Sequence, residues 1–405
     1  MNIDFGRQVL QHAEELGKQG RDANQIAKIL FDRDDRGHNY GIGIILGGDG
    51  QPMPTSATLL DYTRRELDRS GVGNYMASNS LAEALKRAVL AWQRVPETLW
   101  DRFKLALPSD AGTGAVKTAV EMALAMQPHK TVLGVEDLGW PAYRAIARTA
   151  RVGFETFPVD GVIGGEQVQP LYQSGPMNTT GRVQAQETVA ARARAAAETG
   201  DLVVLDRAYS GFEYAHLLGT ASYDEVMRHS YALQLAPFVD AQVPFLLALS
   251  PTKAFVTFSM RPAGLLLAYT PDPSQDDRVS NFLNTVVRAR GASFEHPVTR
   301  AFAWAMTENL AGLEAEHEAA MQRVADAERR WGQLAAGTDI AYLFSERYAG
   351  LFRNPLARPE AAAHVYGAHL YPVFSSGRCR LNVTGIPDDD TLAREHVAVF
   401  AGQCY

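Results

Sequence analysis

Six short apolar runs punctuate the middle of the chain: KTVLGVED, GFETFPV, QVQPLYQSG, DLVVLDRAY, VPFLLALS and AGLLLAY. Several are apolar at consecutive positions rather than at every second one. That pattern suits strands buried on both faces, which occur where helices cover both sides of a sheet. Helical patterns separate some of the runs, as in Ala115–Met126 and Glu187–Glu198. Such alternation predicts βαβ units and an α/β fold: a large domain with a mostly parallel sheet flanked by helices. From about Val298 to Leu334 the pattern becomes one long helix, with Leu310, Leu313, Met321, Val324 and Trp331 on one stripe.

A chain of 405 residues is too long for one compact core. Residues 51–300 are expected to form the large domain. Residues 1–50 and the stretch 301–405, which includes the long helix, are expected to build a smaller α+β domain. There is no internal repeat and no low-complexity linker. A net charge of −7 argues against a partner bound by phosphate neutralisation, so no nucleic-acid role is expected. Only two cysteines occur, Cys379 and Cys404, which excludes a disulfide framework and a cysteine-based zinc site. The first twenty residues are polar and amphipathic, and no uncharged apolar stretch reaches membrane-spanning length. The expectation is a cytoplasmic protein with no membrane and no metal.

The run FLLALSPTKAFVTFSMRPAGLLLAY places one lysine, Lys253, and one arginine, Arg261, among apolar residues. A lysine there is either an exposed turn residue or an amine kept for its chemistry. Gly112-Thr113-Gly114 directly precedes a helical pattern, where free N–H groups and the dipole can seat a phosphate. It is no Walker A loop, because Val116 precedes Lys117. The DRDDRG stretch at 32–37 fails as a calcium loop, since Arg36 takes a ligand position and Gly43 the place of the terminal glutamate. Asp206 and Tyr209 close an apolar strand, at the carboxyl end where α/β sheets gather ligands. Asp206 can equally be a helix cap. Asn178 follows another strand, and Arg378 and Arg380 would share one face of a third.

Taken in order, these pieces resemble the fold-type I pyridoxal-phosphate aminotransferases, close to the aspartate/aromatic branch, over roughly residues 40–386. The matching segments are Gly112-Thr113-Gly114, Trp140 in DLGWP, Asn178-Thr179-Thr180-Gly181, Asp206-Arg207-Ala208-Tyr209, Ser250 with Lys253 and Arg261, and Arg380 in RLNVTG. YGIGII, which contains Gly43, and VGNYMAS, which contains Tyr75, complete the set.

The resemblance implies that Lys253 forms a Schiff base with pyridoxal 5′-phosphate. Ser250, Arg261 and the Gly112–Gly114 helix start would hold its phosphate, and Trp140 would stack on its ring. Asp206 would pair with the pyridine nitrogen. Tyr209 and Asn178 would bond the ring oxygen, and Arg380 would take the substrate carboxylate beside Gly43. Tyr75 would reach the phosphate of a neighbouring subunit, which implies a homodimer with shared sites. Arg288 or Arg290 would read a substrate side chain.

Three departures stand out. The asparagine motif lacks its proline, Ala254 follows the lysine, and Tyr143 and Gln173 occupy the places behind Asp206 where the family has histidines. The leading expectation is exchange of an amino group between an amino acid and a 2-keto acid. A lyase, an amino-acid oxidase or hydroxylase, and a non-catalytic cofactor-binding protein are the alternatives.

Overall fold

The computed structural model describes residues 2–70, 82–107, 111–262, 264–291 and 295–405. They divide into two compact units. One comprises residues 54–175 and 184–321; the other comprises 1–53, 176–183 and 322–405.

The larger unit is built on a seven-stranded sheet. Its order across the sheet is Phe103–Ala106, Leu265–Tyr269, Phe245–Leu249, Val203–Arg207, Val168–Gln173, Val132–Glu136, Gly153–Phe157. Leu265–Tyr269 runs antiparallel to both its neighbours, and every other pairing is parallel. All six apolar runs are strands. The central ones are buried at every position, as consecutive apolar residues require. The seventh strand, Phe103–Ala106, has only four residues and two of them half-buried.

Helix Ala111–Met126 packs an alanine-rich face on this sheet, with Ala115, Ala119, Val120 and Ala123 fully buried. Small side chains let its backbone lie close to the strands. Gly264 marks one such approach, since a Cβ there would meet the Ala111 carbonyl oxygen at 2.2 Å.

The expected single helix over 298–334 is two helices, Pro297–Glu308 and Leu310–Leu334. Asn309 breaks them with φ −143° and ψ 50°. Its N–H still donates to Ala305 O, while its side-chain oxygen accepts from Gly312 N at 3.1 Å. One asparagine therefore ends the first helix and caps the second, and caps are where asparagine is favoured. The division between the two units falls inside the second helix, after Met321.

In the smaller unit, Val373–Ser375, Arg378–Asn382 and Phe352–Arg353 form an antiparallel sheet. A short parallel pair joins His38–Asn39 to Leu370–Tyr371. Asn382, fully buried, donates to Ile42 O at 2.8 Å and Ile44 O at 2.7 Å, which pins the YGIGII segment to the sheet. Among the described residues no helix is long and apolar enough to cross a membrane, and no cluster of His, Cys, Asp and Glu could hold a metal ion.

Candidate active site

The parallel strands of the larger unit place their carboxyl ends together, and there the chemistry-bearing residues collect. Asp206 is the penultimate residue of Val203–Arg207, paired in register with Gln173 on one side and Ala248 on the other. Two residues after Ala248 comes Ser250, which opens the short helix Pro251–Ala254. Proline at the first helical position suits that start, because its missing N–H would have had no partner there. Lys253 lies on this helix, half-buried. Its Nζ is 5.7 Å from the Tyr209 ring centre and 4.9 Å from that of Phe258.

The helix start Gly112–Gly114 lies against Ser250. A Cβ on Gly112 would stand 2.5 Å from Ser250 Cβ and 2.6 Å from its Oγ. Only glycine allows that hydroxyl so near the N–H groups of the helix. Arg261 follows on the same loop, exposed, with its own N–H bonded to Thr257 O at 2.9 Å.

The surrounding backbone is strained. Ala111, Leu138, Val256 and Arg261 all have φ between 44° and 57°. For a buried β-branched residue such as Val256 this conformation costs about 1–3 kcal/mol and persists only where neighbours enforce it. Lys253 and Arg261 sit on either side of Val256 in one such enforced loop.

Asp206 is 8% exposed and accepts a 2.6 Å hydrogen bond from the Tyr143 hydroxyl. Burial pushes its carboxyl up to about 6, against the opposing pull of Tyr143 and of the Ala208 N–H. Among the described residues no cation offsets that burial, and a pyridinium would lower the carboxyl again. Burial and the adjacent Asp206 push the Tyr143 phenol well up, so Tyr143 is a neutral donor. Trp140 stands edge-on to Tyr143, with ring centres 5.4 Å apart, and forms a further wall. The backbone N–H of Gln173 donates to Glu136 Oε2 at 3.0 Å.

That contact opens onto a group that sequence reasoning missed. Glu136, 2% exposed at the end of its strand, accepts from Arg192 at 2.8 Å and Gln184 at 2.9 Å. Arg192 also binds Val159 O and Gly161 O, and stacks on Tyr172 at 4.3 Å. Behind the next strand, Arg207 and Glu213 form a second buried pair at 3.2 Å, with Ser230 bonded to both. Both pairs brace the strand ends that carry Gln173 and Asp206. No motif signals them, because each partner is distant in the chain.

Gly43, Asn178 and Arg380 belong to the smaller unit. Arg380 lies on Arg378–Asn382 as expected, sharing a face with Arg378. Its Nη2 donates to Asn24 Oδ1 at 2.6 Å and Gly41 O at 3.3 Å, and its guanidinium stacks on Phe352 at 4.3 Å. Asn178 is half-buried, in a turn after the proline at 176. Arg288 is exposed on helix Asp276–Gly291. Tyr75 and the Arg290 side chain lie outside the described residues.

No curated protein sequence matches the chain. Solved structures do. An aromatic-amino-acid aminotransferase from Burkholderia pseudomallei, covalently bound to pyridoxal phosphate, is 19% identical with a TM-score of 0.77, covering 94% of this chain and 96% of that one. The broad-specificity aminotransferase from Leishmania mexicana is 18% identical with a TM-score of 0.75, covering 94% and 95%. The aspartate aminotransferase of Plasmodium falciparum is 15% identical with a TM-score of 0.73, covering 94% and 96%. At these identities the likeness is one of fold. The family model for aminotransferase class I and II matches residues 39–290, well over half the sequence. The chain belongs to the aminotransferase class I and II family.

Proposed function

We propose that the protein is a pyridoxal-phosphate-dependent aminotransferase that exchanges the amino group between an amino acid and a 2-keto acid. The observation that carries the reading is Asp206. It is a buried carboxyl, poised near 6 by burial, at a strand end beside the Lys253 loop. The donor set fits the cofactor. Backbone N–H groups of Gly112–Gly114, the Ser250 hydroxyl and the Arg261 guanidinium suit a phosphate. Trp140 offers a ring face, and Lys253 an amine to carry the aldehyde.

When bound, the cofactor supplies an electron sink for charge developing at the substrate Cα. The protein's own residues do the rest. Asp206 keeps a proton on the ring nitrogen, and Tyr143 fixes the carboxylate that does so. Tyr209 donates toward the ring oxygen. Lys253 Nζ takes the Cα proton and returns it, half-buried between two aromatic rings that limit water. Arg380 receives the substrate carboxylate as a fork, its plane set by Phe352 and one edge by Asn24. Asn178 and Gly43 complete that contact.

The protein acts as a cytoplasmic homodimer. Tyr75 of each subunit serves the neighbouring site, and Arg288 or Arg290 meets the substrate side chain. A donor panel with the purified, cofactor-loaded protein, read by absorbance and by keto-acid release, tests the activity. Release of keto acid with stoichiometric conversion to the amine form of the cofactor supports transamination. Ammonia release or decarboxylation without that conversion overturns it.

A further inference from the structure

Lys253 Nζ lies over two aromatic rings, and of the two Phe258 is the nearer, its centre 4.9 Å away against 5.7 Å for Tyr209. The Tyr209 phenol is assigned above to the cofactor's ring oxygen. Phe258 has no polar atom, so a ring face and its bulk are all that it offers. A continuing helix would not make this contact. Residues three and four apart share a helix face, whereas residues five apart do not. The helix Pro251–Ala254 instead stops after one turn, and the chain folds back.

Thr257, fully buried, donates its N–H to Thr252 O at 3.0 Å and its hydroxyl to Pro251 O at 3.5 Å. Val256 takes a φ of 49° within this turn. Arg261 N–H then donates to Thr257 O at 2.9 Å. The closed turn over residues 252–257 returns residue 258 to the side of residue 253. The strained loop therefore has a local product, an aromatic face presented to the amine. A cation over a ring face is attracted by the ring quadrupole, which shifts an equilibrium about three- to tenfold toward the charged form at a half-buried site. A neutral amine gains far less.

We propose that Phe258 is a positioning residue for proton transfer: its ring face steadies Lys253 Nζ in the state that carries the extra proton. In turnover Nζ takes one proton from the substrate Cα, becomes an ammonium, and gives that proton up again as it returns to the neutral amine. The ring meets the positive charge as it develops on the nitrogen. This role in turnover rests on the aminotransferase reading. The effect on the amine does not, and it is present in the cofactor-free protein. Asp206 and Tyr209 at the adjoining strand end, and Arg261 along the same loop, are the other charged or titratable groups of this region. They stay the same when only the electrons of the Phe258 ring are changed.

Fluorinated phenylalanines placed at position 258 alone draw charge from the ring face with little change in size. Competitive acetylation with acetic anhydride from neutral to alkaline pH, read by peptide mass, gives the protonation midpoint of Lys253 in the cofactor-free protein. Lys28 and Lys117 serve as controls in the same sample. The Lys253 midpoint should fall stepwise from one fluorine to three, by about half a unit at three, which is about a threefold loss of proton affinity. Phe258→Leu should lower it as far, and Phe258→Tyr should keep the wild-type value. Three fluorines on Phe255, which follows in the same loop with its ring 5.0 Å from that of Trp92, should leave it unchanged. In the loaded protein kcat should fall in the same steps while KM stays level. A midpoint flat across the fluorine series overturns the assignment whatever the rates do, and so does a shift that fluorination of Phe255 reproduces. A stepwise midpoint in a protein that releases no keto acid would leave the ring–amine interaction standing and remove its role in turnover together with the aminotransferase reading.

Discussion

Asp206→Asn separates stability from catalysis, because the two should move in opposite directions. In the cofactor-free protein the Asp206 carboxyl is raised from 3.8 to about 6 by burial. A shift of about two units, at about 1.4 kcal/mol per unit, amounts to about 3 kcal/mol. The sign follows from proton counting. Between 3.8 and 6 the native state binds more protons at this site than the unfolded state, so stability falls as pH rises through that window. Above about pH 6 the full cost is present. Asparagine keeps a group for the Tyr143 hydroxyl to bond and carries no charge. The cofactor-free variant should thus be more stable than wild type at pH 8, by up to about 3 kcal/mol, with the gap closing below about pH 4. Urea unfolding at pH 8, 6 and 4 reads this directly. The loaded variant should lose its half-reaction rate by orders of magnitude, since an amide supplies no anion for a pyridinium. A variant less stable than wild type at every pH, with near-normal rate, would show that Asp206 is an ionised structural acceptor and would refute the reasoning.

Other perturbations follow from distances in the same unit. Gly112→Ala should cut cofactor affinity and destabilise by about 1–3 kcal/mol, because its Cβ would stand 2.5 Å from Ser250 Cβ. Ser250→Gly should relieve that clash in the double variant, whereas Ser250→Ala should not; equilibrium dialysis of the cofactor checks both. Arg192→Met should destabilise by about 3–5 kcal/mol, since it leaves Glu136 charged and buried without its cation, and urea unfolding measures the loss. Arg380→Lys should lower kcat/KM roughly ten- to hundredfold for every amino-acid donor alike, as one fork of hydrogen bonds disappears; a loss confined to acidic donors would move the role to a side-chain reader such as Arg288.

The large sheet was legible because burial on both faces leaves a direct trace: strands such as FLLAL and LLLAY are apolar without interruption. Phe103–Ala106 left no such trace, being a four-residue edge strand with an outward lysine. The helix break at Asn309 was hidden because asparagine is ordinary inside an amphipathic stripe, and the capping bond that its side-chain oxygen accepts from Gly312 N–H is a matter of backbone geometry. At the site, the strand-end place of Asp206 and the helix start at Gly112–Gly114 could be read from the apolar runs, whereas Lys253 stood out only through the family resemblance, because its window alone reads equally well as a turn between two strands. The strain at Val256 and Arg261 could not, since a left-handed backbone at a non-glycine residue is imposed by packing rather than announced by residue type. The Glu136–Arg192 and Arg207–Glu213 pairs join residues far apart in the chain, and only the folded sheet brings them together.

The central claim is that Lys253 carries the cofactor. Borohydride reduction of the loaded protein, followed by peptide mapping, tests it most directly. The account predicts a single labelled peptide with the pyridoxyl group on Lys253, and no label in Lys253→Ala. Label on another lysine such as Lys117, or an unreduced protein with no chromophore after cofactor loading, would contradict it.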